Sequence, residues 1–142
     1  MQKNNKIYEQ IDHTADMYIR VRGTALHNLF EKAAFALFDI MVELDNVKEE
    51  ASERIQLEGT DLPELMITWL NHLLFLWETK EILFKKFQVR ILDHARLEAE
   101  AWGERFDPER HEFLTEIKAA TYHNLVIEQT QGKWVAEIIF DL

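Results

Sequence analysis

No cysteine occurs in the 142 residues. Disulfides, thiolate nucleophiles and cysteine-based zinc or iron–sulfur sites are therefore excluded. Glycine occurs four times and proline twice, too rarely for long flexible linkers. Serine occurs once, at Ser52 inside an acidic stretch, which leaves little basis for a serine nucleophile. Apolar runs are short. Leu73 to Trp77 falls far below the roughly 20 residues that a membrane helix needs, and the opening MQKNNKIYEQ has no apolar signal core. These features predict a soluble cytoplasmic protein with no membrane partner. Positive charge is also scarce: 16 Lys and Arg stand against 26 Asp and Glu, a net charge of −10. Such a surface repels phosphates, so any work on RNA is expected to run through a protein partner. It favours cations and basic protein surfaces.

Known catalytic motifs are missing as well. There is no G-x-S-x-G, no P-loop, no G-x-G-x-x-G and no H-E-x-x-H. The six histidines are scattered, and none pairs at i, i+4.

What is present is a packable chain. Hydrophobic residues are 47% and charged residues 30%, near globular averages, and the length fits one domain over residues 1–142. MYIRVRG alternates, with Met17, Ile19 and Val21 facing one way, as a half-buried strand stopped by Gly23. IYEQI reads as its partner strand, with DHTAD as the connection. Leu26, Leu29, Phe30, Ala33, Ala34, Leu37, Phe38 and Met41 form one apolar helical stripe, with Thr24 as the expected N-cap. RIQLE reads as a strand closed by Gly59. A second helix follows, with a broader apolar face from Leu62 to Trp77. Asp61 and Glu64 have capping-box spacing and Pro63 sits in the first turn. FQVRI and RLEAEAW alternate as strands, and GERFDPERHEF reads as a loop. IKAATYHNLVIEQ and WVAEIIF read as two strands joined at TQGK, where Gly132 supplies positive φ. Short turns between consecutive strands imply antiparallel pairing. The expected fold is α+β: mostly antiparallel sheet with two amphipathic helices packed on one face.

Two groups of residues carry chemistry. Asp12, His13 and Asp16 crowd into DHTAD, while Asp141 and Leu142 close the sequence. If the first and last strands are neighbours, these carboxylates converge, and a hard divalent cation is the natural resolution. Alternatively, Asp12 and Asp16 cap a turn and the tail is solvated. The chemistry alone leaves both open. The second group is RHEFLTEIKAATYHNL, with Arg110, His111, Lys118 and His123. Taken alone, RHE is a polar loop. Simple alternation puts His123 on the face of Ile117, Ala119, Leu125 and Ile127, as a half-buried histidine. Trp69 and Trp77 are core residues at helical spacing, whereas Trp102 and Trp134 are expected to be partly exposed.

Together, DHTADMYIRVRG, LFEKAAFALFDIMV, DLPELMITWLNHLLFL, GERFDPERHE, EIKAATYHNL and GKWVAEIIFDL resemble the archease family, in the right order from about residue 10 onward. The resemblance implies an accessory protein, not an enzyme, that activates an RtcB-type RNA ligase in tRNA splicing and RNA repair. It would promote guanylylation of the ligase and its turnover, and meet RNA only through the ligase. It further implies a divalent metal, usually assigned as calcium, held by Asp16, Asp141 and Leu142. Members of the family often end in Asp-Ile where this sequence has Leu142. His13, Arg110, His111, Lys118 and His123 remain secondary candidates. Two competing readings are a stand-alone metal-dependent phosphoester hydrolase, with His13 as base, and a chaperone-like adaptor.

Overall fold

The structure is a computed structural model that describes residues 7–11 and 16–142. Its elements run β1 (Tyr8–Ile11), β2 (Asp16–Gly23), α1 (Leu26–Met41), β3 (Ala51–Glu58), α2 (Leu62–Lys80), β4 (Ile82–Leu92), β5 (Arg96–Arg105), β6 (Ala119–Thr130) and β7 (Lys133–Asp141). The strands form two antiparallel sheets, ordered β1-β2-β7-β6 and β3-β5-β4. The α+β architecture read from the sequence is present, with its strands divided between two sheets. Asp12, His13, Thr14 and Ala15 lie outside the described residues.

α1 packs against β2 and β7 of the first sheet and against β4 of the second. This placement explains why its burial exceeds the stripe seen in the sequence: Ala36, Asp39 and Ile40 are enclosed as well. Asp39 is tolerated there because the Tyr8 hydroxyl donates to its Oδ2 at 2.8 Å. Burial and that carboxylate push the Tyr8 hydroxyl pKa upward. α2 packs chiefly on β6, and Trp69 Nε1 donates to Phe30 O at 3.0 Å, tying the two helices. The rings of Phe38, Phe84, Phe87 and Trp69 meet between α1, α2 and β4.

The capping signal in the sequence holds at α2 and fails at α1. Asp61 is the N-cap of α2, accepting from Glu64 N–H at 2.9 Å, while Glu64 Oε1 accepts from Thr60 N–H. Thr24 does not cap α1. The helix starts after Ala25 without a side-chain cap, and Thr24 N–H instead donates to Asn28 Oδ1. The β6–β7 turn uses positive φ at both Gln131 and Gly132, the geometry of a two-residue hairpin turn.

Two expectations need correction. Gly103, Glu104 and Arg105 are the end of β5 and not part of a loop. Gly103 makes that pairing possible: a Cβ there would fall 1.8 Å from Leu83 O, beside the irregularity at Phe84/Lys86. His123 is exposed and not half-buried. The β6–β7 register shifts between Thr121 and Val126, and Asn124 takes φ 53, so alternation does not carry through the segment.

Candidate functional site

β7 lies between β2 and β6, so its last residue is flanked from both sides. Asp141 is the register partner of Asp16 on β2 and of Ala119 on β6. Lys118 N–H donates to Asp141 O at 2.8 Å. Residues directly opposite in an antiparallel pair project to the same face with Cβ atoms about 5 Å apart, and like charges there repel. Asp16 and Asp141, far apart in the sequence, therefore meet in space. Asp141 and Leu142 are exposed and Asp16 is partly buried.

The same face of β2 and β7 continues differently further along. Tyr18 OH and Arg20 Nε donate to the two Glu137 oxygens at 2.9 and 2.8 Å. Arg20 also reaches Glu9 on β1 at 3.3 Å, and Arg22 pairs with Glu9. The Arg20 hydrogen bond holds the Glu137 carboxyl below its usual range against the effect of burial. Three adjacent strands thus carry an internally balanced ladder, and the two aspartates stand at its end.

Carboxylates in this arrangement are hard oxygen donors of the kind Ca²⁺ and Mg²⁺ take. Asp16 and Asp141 fit part of such a shell. A calcium ion takes roughly six to eight oxygens, so backbone oxygens, Leu142, water or a partner must complete it. Among the described residues no group of three or more His, Asp or Glu side chains is gathered closely enough to hold a metal.

A second cluster sits on the other sheet. Glu104, at the end of β5, is buried and accepts from His111 Nε2 at 2.6 Å and from Arg110. His111 Nδ1 accepts from Asp107 N–H at 2.8 Å, which places the proton of the neutral ring on Nε2. Burial pushes the Glu104 carboxyl up, but the hydrogen bonds of Arg110 and His111 and the Arg110 charge outweigh it and hold it below the usual range. Phe106 stacks on His111, and Trp77 and Phe113 extend the aromatic contact. The cluster pins the 106–113 segment onto the end of β5.

The structure thus separates the residues selected from the sequence. Asp16 and Asp141 come together, with Leu142 following and the Lys118 backbone alongside. Arg110 and His111 gather around Glu104 on the other sheet. His123 projects from the β6 irregularity, and His13 lies outside the described residues. Trp102 and Trp134 are partly buried, the first under Lys86 and the second against His94. Two residues escaped sequence reasoning. Glu104 was hidden in an apparent loop. Asn71 was visible only as one polar residue in an apolar helix, and it bonds Ala120 on β6 through both ends of its amide.

Comparison with known proteins shows the family and the fold. The model of the Archease protein family matches residues 8–142. The archease of Methanosarcina mazei is 38% identical with all of both chains covered, and that of Methanopyrus kandleri is 43% identical over 95% of this chain and 99% of its own. The solution structure of protein 1598 from Methanobacterium thermoautotrophicum superposes with a TM-score of 0.83 at 34% identity, covering 97% of this chain and all of that one. A crystal structure from Thermotoga maritima, described as an archease and possible chaperone, shares the fold at a TM-score of 0.63 and 20% identity, covering 100% of this chain and 98% of its own. The chain belongs to the archease family. Among the described residues, no helix is long and apolar enough to cross a membrane.

Proposed function

We propose that this protein is an accessory activator of an RtcB-type RNA ligase, acting in the cytoplasm as a single domain in tRNA splicing and RNA repair. It promotes guanylylation of the ligase and its turnover, and performs no ligation itself. The observation that carries this reading is the direct register of Asp16 and Asp141 at one end of the first sheet. Asp16, Asp141 and Leu142 would hold a divalent cation, with calcium the best candidate for an all-oxygen donor set. When bound, the ion supplies positive charge that cancels the repulsion of the pair and attracts anionic groups of the partner. The protein's own part is to fix two carboxylates on adjacent strands and to present them at a sheet end. Family membership supports the role, and the net charge of −10 suits contact with a protein more than with RNA.

The test is a guanylylation assay on the cognate ligase with wild type, Asp16→Ala and Asp141→Ala, each checked for folding. The expected result is stimulation by wild type and its loss in both variants. Stimulation by all three would reduce the pair to a structural feature. No stimulation by wild type at any ratio would end the activator reading.

A further inference from the structure

We infer that Asn71 is the positioning residue of the acidic pair: its amide clamps the short piece of β6 that braces Asp141. The inference rests on the reading of Asp16 and Asp141 as a metal centre.

β6 is an edge strand. Its pairing with the end of β7 is confined to Ala119–Thr121, because the register breaks before Val126. On the N-terminal side the chain is irregular up to Lys118. The strip that flanks Asp141 is therefore interrupted at both ends, and a short isolated edge of this kind frays. Asn71 acts at its middle residue. Its Oδ1 accepts from Ala120 N–H at 2.8 Å and its Nδ2 donates to Ala120 O at 3.1 Å. One planar amide thus occupies the outward-facing donor and acceptor of the edge strand, as a further strand would.

Side-chain chemistry limits what can replace it. Aspartate presents two acceptors and would face the Ala120 carbonyl with a like dipole, while leucine offers neither group. Asparagine is also a modest helix former, and here it sits within the largely apolar LMITWLNHLLFL of α2. Its value there is the bond it makes outside the helix. If the clamp is lost, Ala119 and the Lys118 N–H release Asp141 on the β6 side, leaving β2 as its only brace. Metal affinity depends on such outer contacts, and their removal typically lowers it roughly ten- to a hundredfold.

The experiment is calorimetric titration of Ca²⁺ into wild type, Asn71→Leu and Asn71→Asp, with Trp69→Phe as control. Trp69 lies two residues away, on the opposite side of the helix, and its change removes the bond to Phe30 O. The expected result is at least tenfold weaker binding in both Asn71 variants, with affinity within twofold of wild type in Trp69→Phe. Equal affinity in wild type and Asn71→Leu would overturn the inference and leave the metal centre standing. An absence of calcium binding in wild type would overturn the reading of the pair and the inference with it. Amide exchange on the wild-type protein covers the case in which the variants fail to fold. The Ala120 N–H is expected to exchange as slowly as those of β7, and rapid exchange there would refute the clamp.

Discussion

Glu104 and the pair Asp16–Asp141 are carboxylates at the ends of strands in the same small protein, and their surroundings differ in kind. Glu104 is buried, and Arg110 and His111 both turn hydrogen-bond donors toward it. Asp141 is exposed and stands opposite another aspartate. A buried charge without an internal partner is too costly to keep, and here the segment after β5 supplies the Arg110 cation and the His111 N–H. Asp141 is exposed and Asp16 partly buried, and like charges facing each other where solvent reaches repel only weakly. Buried and neutralised charge thus marks architecture. Like charges paired at a sheet end are what the proposed cation site rests on.

The comparison can be broken hardest at Glu104. Glu104→Ala leaves the buried His111 N–H without its acceptor and Arg110 with only its longer contacts to Asp107 and Asn46 O. A loss of ~3 kcal/mol is expected, about 10 °C in Tm for a chain of this length, read by thermal unfolding. Calcium should raise the Tm of that variant by the same amount expected for wild type, because the cluster lies on the other sheet.

Next in size is the effect of calcium itself. At a hundredfold excess over its dissociation constant, calcium should stabilise wild type by about 2.7 kcal/mol in denaturant titration. Asp141→Asn should lose nearly all of that gain. A full gain in Asp141→Asn would make the contrast between the two sites one of solvent exposure only.

Acid provides a finer separation. The Glu104 and Glu137 carboxyls are held below their ordinary value of 4.5 by their cationic partners. The stability they contribute is therefore complete above that pH and disappears as the pH falls below it, toward their folded-state values. Glu104→Gln should flatten this acid limb in a plot of unfolding free energy against pH, whereas Asp141→Asn should leave the Glu104 contribution intact. The smallest change is expected for Tyr18→Phe. It removes the bond to Glu137 at a cost of about 1 kcal/mol and should not alter calcium binding.

Much of this was legible in the sequence, because period and turn chemistry act locally. Met17, Ile19 and Val21 marked β2, Asp61 and Glu64 marked the start of α2, and Gly132 marked the final hairpin. The acidic pair could be posed as a question, since its answer required only that β2 and β7 be neighbours. What stayed hidden depends on partners that no period reveals. Gly103 reads as a turn residue until Leu83 O is seen against it. His123 follows an alternation that the β6 irregularity cancels. Asn71 and Ala120 lie 49 residues apart, and nothing in either segment names the other.

The pairing of β2 with β7 also sets an order of events. It joins residues as distant as Tyr18 and Glu137, 119 positions apart, whereas β4 with β5 and β6 with β7 are neighbours along the chain. Closing so long a loop is entropically costly and is repaid only once the intervening elements have collapsed. The aspartates are consequently expected to meet late in folding. A chain that has its helices and hairpins but has not closed its first sheet should give most of the helical signal while Asp16 and Asp141 are still apart. In a refolding experiment, calcium binding should therefore return with the slowest phase, after the helical signal has recovered.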